Sequence, residues 1–340
     1  METTKIIENK QTVYLDQNIL DVLTKHKVDE LRKPLTEDLQ VVYSDETLKE
    51  IRRSKGFESN FLYTLKTLNA KHLKVDVEHD FTMTNRASIT ERNPFDAYNE
   101  YCYRCDESIS NGMENSLFQF LFKLNGGRPE DSLNTIVSDI HIKLLEQLDM
   151  AINHSGDLPK HSQDLLKKMI GSIKKELPGV FDNFENLMLE CGQDGRHLSW
   201  VEKFRSEIGF GPKELNNIEP PNVLIQIWEK LSSSPSLSQS NIDIDEFFKL
   251  KENPLNPSEP YYNHQKVTTI YNMLNFVGYY PDSKMHKERR FIAASSDNNH
   301  ASMASFCDFL LSHDDSFIKK TKAAFEYLGI STKAIYVNFT

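Results

Sequence analysis

Residues 290–340 read RFIAASSDNNHASMASFCDFLLSHDDSFIKKTKAAFEYLGISTKAIYVNFT, and this stretch decides the fold. Asp297 stands where an alanine-rich helical pattern begins (Ala301, Ala304, Ser305). The apolar run Phe309-Leu310-Leu311 follows, and Ser312-His313-Asp314-Asp315 breaks it. A further helical pattern from Phe317 to Leu328 and a β-prone run from Ala334 to Asn338 complete the order helix, strand, acidic turn, helix, strand. Ligands of open α/β sheets bind beyond the carboxyl ends of parallel strands, so Asp314, just after its strand, is expected in such a crevice.

The opposite end of the chain repeats the pattern. Thr12-Val13-Tyr14-Leu15 is a short β-prone run ending in Asp16, with Gln17-Asn18 and a helical pattern (Ile19, Leu20, Val22, Leu23) after it. Gln40-Val41-Val42-Tyr43 is a second run, ended by Ser44, a helix N-cap residue type, and followed by Asp45-Glu46-Thr47-Leu48-Lys49-Glu50-Ile51. About two turns into that helix, Glu50 points back toward the strand ends. Asp45 and Glu46 are its alternatives if the helix starts later. Three segments thus bring a carboxylate to the C-terminal edge of one parallel sheet.

Taken together, VYLDQN at 13–18, Ser44-x-x-x-Leu48-x-Glu50, Asp297 and Ser312-His313-Asp314-Asp315-x-Phe317 resemble the PIN-like nuclease domain. The resemblance covers about residues 10–80 and 290–340. Ser312 stands where the family usually has Thr, and about 250 residues separate the second and third acids. It implies an α/β fold with a doubly wound, mostly parallel sheet, with Asp16, Glu50, Asp297 and Asp314 holding Mg²⁺ or Mn²⁺ and hydrolysing phosphodiester bonds, usually of RNA. The chemistry suits the residues. A carboxylate-held divalent ion offsets charge on phosphoryl oxygens and lowers the pKa of an attacking water, and Mg²⁺ keeps several waters, so two to four carboxylates suffice. Asn18 and Ser312 are expected to hydrogen-bond the ligands or a scissile phosphate. His300, one turn from Asp297, and the cations Arg53 and Arg290 are further substrate-binding candidates, with Asp315 competing with Asp314. Asp308, at the far end of its strand, is expected to be structural.

Composition bounds the rest. The chain has 340 residues, 39% of them hydrophobic, enough for a substantial core and for two domains or one domain with a large insertion. Its net charge of −10 counts against a long nucleic-acid footprint. Local basic runs nevertheless flank the acids: Arg52-Arg53-Ser54-Lys55, Lys284 to Arg290, and Lys319-Lys320-Thr321-Lys322. No stretch reaches the ~20 apolar residues that span a bilayer, and METTKIIENK has no signal-peptide apolar region, so a cytoplasmic protein without membrane contact is expected. Four cysteines do not make a disulfide framework. The CxxC Cys102-Tyr103-Arg104-Cys105 could hold zinc only with distant groups such as Cys191 and His197; two ordinary thiols are the plainer reading.

His72 to Glu78 reads as a third strand, and after Asp80 the character changes. Residues 83–285 show helical periodicity with few strand signals, so the chain divides into a first PIN-like part (1–82), an α-helical insertion (83–285) and a second PIN-like part (286–340). An insertion of that length must be separately folded. Its expected work is substrate selection, covering the site, or contact with a regulatory protein or a second copy. Two function classes stand: an endoribonuclease, in the manner of a toxin or defence effector, and a catalytically silent PIN-like scaffold for protein assembly. Degenerate members of the family lose acids; this chain retains all four.

Overall fold

A computed structural model describes residues 10–26, 28–78, 82–107, 118–119, 121–190, 199–239, 241–253 and 259–339. Its centre is a six-stranded sheet in the order β4-β3-β2-β1-β5-β6. The strands are β1 (Gln11–Leu15), β2 (Leu39–Tyr43), β3 (Lys71–Val77), β4 (Met83–Thr90), β5 (Phe309–Ser312) and β6 (Lys333–Tyr336). All neighbours are parallel except β3 and β4.

The strands form where they do because both sheet faces are covered. Parallel strands buried on two sides are hydrophobic without interruption, as TVYL, QVVY and FLL are. Alternate side chains enter two cores. Val13, Leu15, Val41 and Tyr43 join Ile19, Leu20, Leu48 and Leu62 from α1 (Gln17–Lys25), α3 (Asp45–Arg53) and α4 (Glu58–Thr67), with α2 (Asp29–Glu37) adding Leu35. Tyr14, Val42 and Leu310 join Tyr271, Ala301 and Phe317 on the other face. Each fully buried aliphatic side chain contributes roughly 1.5–3 kcal/mol, enough to offset the polar groups buried beside them.

Two compact units are present. The first comprises Met1–Tyr103, Arg205–Asp282 and Ile292–Thr340; the second comprises Arg104–Phe204 with Ser283–Phe291. This redraws the boundaries expected at 83 and 285. Residues 83–90 form β4, which was read as the start of the helical insertion because it is an edge strand whose MTNRASIT buries only Thr84 and so shows no hydrophobic alternation. Residues 205–282 also belong to the sheet-bearing unit, where they supply a helix (Val223–Ser232) and the buried Val267 and Tyr271 of another (Asn263–Val277). The second unit is helical, with long helices over Leu133–His154 and Lys160–Glu190, and carries an aromatic cluster of Phe118, Phe122 and Phe291.

The break expected near Lys55-Gly56 falls between α3 and α4, where both residues take positive φ (+21° and +90°). Among the described residues no helix is long and apolar enough to cross a membrane.

Candidate active site

The strand order reverses at β1, which pairs with β2 on one side and β5 on the other. Crevices at such a reversal are where open α/β sheets take ligands. Asp16 leaves β1 there: its N–H donates to the Leu311 carbonyl of β5 (3.0 Å) and its carboxylate caps α1 at the Gln17 N–H (2.7 Å). The same carboxylate is only 3% exposed. Its Oδ2 accepts from Ser312 Oγ (2.6 Å) and Asn18 Nδ2 (2.5 Å), and Asn18 Oδ1 accepts the His313 N–H (2.9 Å). Burial raises the Asp16 carboxyl above its ordinary value, opposed by the charge of His300 and the Ser312 bond and reinforced by Glu50.

Three acids of α3 competed for the second position, and their partners separate them. Asp45 bonds His72 Nε2 (2.8 Å), next to the Tyr43–His72 ring stack. Glu46 accepts from Ser296 Oγ (2.5 Å), Asn299 Nδ2 (2.9 Å) and Arg53 Nη2 (3.3 Å), fastening α3 to the helix Glu288–Ala304. Glu50 lies within the field of Asp16 and is bonded to His300 Nε2 (2.9 Å). Burial raises the Glu50 carboxyl, yet the charge and hydrogen bond of His300 outweigh it and the net direction is downward. Glu50 is therefore held as a carboxylate.

Asp297 is not where a helix opens. It lies in the middle of Glu288–Ala304, which starts at Glu288 because nothing in ERRFIAASSD breaks it. Its carboxylate caps nothing and has no hydrogen bond or ion pair among the described residues, unlike every other acid here. Burial, then the like charges of Asp16 and Asp282, push it well above the ordinary range, against Lys320 and His300. Asp314 is exposed and caps α5, our label for Asp315–Leu328, through the Phe317 N–H (2.9 Å), while its own N–H donates to Ser312 Oγ (3.0 Å). Asp315 pairs with Lys319 at the surface (3.1 Å). Asp308 is structural as expected, accepting from the Thr12 N–H and hydroxyl (2.7 and 2.9 Å).

His300 and Ser312, both expected beside the acids, are buried. His300 has no exposure; Glu50 takes one ring nitrogen and the Tyr14 hydroxyl the other (2.8 Å), with Tyr14 tied on to Ser44 Oγ (2.6 Å). Burial pulls the His300 imidazolium down, but Tyr14, Glu50 and Asp16 more than compensate. Ser312 is likewise fully buried. Both residues position acids, as Asn18 does. Arg53 is engaged by Glu46, and Arg290 is exposed in the second, helical unit.

The sequence reading missed Tyr271, Asn275, Asp282 and Lys320. The buried Lys320 pairs with Asp282 (2.8 Å) and bonds Asn275 Oδ1 (2.8 Å), and Tyr271 feels Asp297, Asp282, Asp314 and Asp16. Lys320 had been grouped with its neighbours as one basic run flanking the acids. Its spacing of three from Phe317 and four from Ala324, both buried, was the available signal.

Among the described residues no three His, Cys, Asp or Glu side chains are arranged to hold a metal ion. The donor chemistry nevertheless fits a hard divalent cation: Asp16 and Asp297 are oxygen donors, the charge of Asp16 bears on Asp297, and Asp297 has no hydrogen bond or ion pair among the described residues. Cys102 and Cys105 are in no disulfide, and Cys191 and His197 lie outside the described residues. The chain matches no family model, no curated protein and no solved structure.

Proposed function

We propose that the chain is a divalent-metal-dependent nuclease, an endoribonuclease of the PIN-like class with a doubly wound sheet. One observation carries the reading. The Asp297 carboxylate, within the field of Asp16 at the sheet's reversal point, is committed to no cap, hydrogen bond or ion pair among the described residues. Gathered carboxylates of this kind are relieved by a proton or by a cation. Asp16, Asp297, Glu50 and Asp314 would hold Mg²⁺ or Mn²⁺, which when bound would offset charge on phosphoryl oxygens and lower the pKa of a water.

The chain's own residues fix the acids in advance. Asn18 and Ser312 hold one oxygen of Asp16, leaving the other to the Gln17 N–H and an ion. His300 holds Glu50 charged, and Tyr14 fixes the ring that does so. Asp314 is exposed, which leaves the edge of the cluster open to a polymer. In the hydrolysis, water adds to phosphorus, one P–O ester bond breaks, and the departing oxygen takes a proton. A net charge of −10 favours a short contact over a long basic track. The choice of RNA rests on the PIN-like resemblance. A silent scaffold is disfavoured because no acid of the four is missing.

The test is incubation of metal-stripped protein with labelled single-stranded RNA, structured RNA and DNA, with EDTA or Mn²⁺. RNA cleavage restored by Mn²⁺ supports the reading. DNA cleavage alone would reassign the substrate, and equal cleavage in EDTA would refute the metal.

A further inference from the structure

Among the described residues, Lys320 is the one fully buried cation beside the acids that the reading above leaves without work. Its Nζ lies 2.8 Å from Asp282 Oδ2, 2.8 Å from Asn275 Oδ1 and 4.3 Å from the centre of the Tyr271 ring. Asn275 closes the unit: its Nδ2 donates to Asp282 Oδ2 (2.7 Å) and its Oδ1 accepts the Asp282 N–H (3.1 Å). An ammonium taken out of water costs several kcal/mol unless paired and hydrogen-bonded with good geometry, and this one has a carboxylate, an amide and an aromatic face.

One carboxylate would balance it, yet three act on it. Burial pulls the Lys320 ammonium below its ordinary value, opposed first by Asp282 and then by the charges of Asp297 and Asp314, and Asp282 in turn bears on Asp297. The helix explains the reach. Lys320 lies six residues past the Asp314 cap, about 9 Å along the axis at 1.5 Å per residue, and long helical side chains lean toward the N-terminus. The ammonium is thus carried back toward the acidic end of its own helix.

We propose that Lys320, anchored by Asp282 and Asn275, is the resident counter-charge of the acidic site: it holds Asp297 and Asp314 together in the metal-free protein and supplies the positive charge that a second divalent ion would otherwise bring. The site therefore takes one divalent ion. Lys320 is a positioning residue, acting through the acids. The inference rests on the divalent-ion reading of Asp16 and Asp297.

Calorimetric titration of Mn²⁺ into metal-stripped, full-length protein tests it. The expected result is one ion per chain for the wild type and for Lys320→Arg. Lys320→Met should bind Mn²⁺ at least about tenfold tighter, or take a second ion, because a repelling charge is gone. Asp282→Asn frees the ammonium to act on Asp297 and Asp314 and should weaken Mn²⁺ by a similar factor. A loss of folding would move both variants the same way, so opposite directions exclude it. Two ions in the wild type, or equal affinities in all four proteins, would overturn the role of Lys320 and leave the metal site standing. No Mn²⁺ binding by the wild type would overturn the metal reading, and the role of Lys320 with it.

Discussion

Replacing Tyr14 by Phe deletes one oxygen from the centre of the fold. That hydroxyl joins His300 Nδ1 (2.8 Å), Ser44 Oγ (2.6 Å) and, more distantly, Thr47 Oγ1 (3.3 Å), all of them buried. Ser44 Oγ keeps a second partner in the Glu46 N–H (3.2 Å); His300 Nδ1 has no other among the described residues. The variant therefore loses one ordinary hydrogen bond, about 1 kcal/mol, and strands one polar atom of a charged ring, about 1–3 kcal/mol, for a total of about 2–4 kcal/mol. No apolar contact is lost, since the ring stays. At roughly 2–4 °C per kcal/mol for a unit of this size, Tm should fall by roughly 4–16 °C, measured by differential scanning calorimetry at pH 7. Because His300 holds Glu50, cleavage at a temperature where the variant is folded should fall as well. A drop in Tm below about 1 °C would mean that the Tyr14–His300 bond is not formed, and the positioning of Glu50 by a fixed ring would be refuted.

Other predictions concern separate parts of the unit. His264 is buried with neither ring nitrogen partnered, and burial lowers it to about 4. Such a base contributes stability that is full above the unfolded value near 6.5 and lost as pH falls toward 4; His264→Phe should remove about 3 kcal/mol of that acid-side slope in urea titrations, and an unchanged slope would refute it. Asp297→Asn removes one of the crowded carboxylates, so its Tm in EDTA should exceed the wild type's. Mn²⁺ at a hundred times its Kd, worth about 2.7 kcal/mol to the wild type, should no longer stabilise that variant. Ser312→Ala leaves Asp16 Oδ2 one donor short and should cost about 1–3 kcal/mol with a loss of cleavage, both restored by Ser312→Thr; full activity in the alanine variant would show that Asp16 needs no such support.

Five of the six strands were legible: β1, β2 and β5 as short apolar runs between breakers, the pattern that burial on both faces imposes, β3 by its alternation, and β6 as a β-prone run. β4 was not, since an edge strand such as MTNRASIT follows its neighbour's backbone rather than a core. Asp16 could be read from its place after a strand. Glu50 was placed by helix spacing, but the partners that distinguish it from Glu46 could not be read, because His300 and Ser296 lie 250 residues from the acids they bond. The middle of the helix Glu288–Ala304 was mistaken for its start, as an Asp before an Asn pair resembles a cap. Lys320 was hidden by its neighbours: three lysines in four residues look like a solvated face, and only the helical spacing to Phe317 and Ala324 marks the middle one as buried.

The most direct test compares wild type, Asp16→Asn and Asp297→Asn for cleavage of labelled RNA after stripping and return of Mn²⁺. Metal-dependent cleavage by the wild type, lost in both folded variants, is the predicted result. Cleavage surviving both substitutions would contradict the assignment of the site.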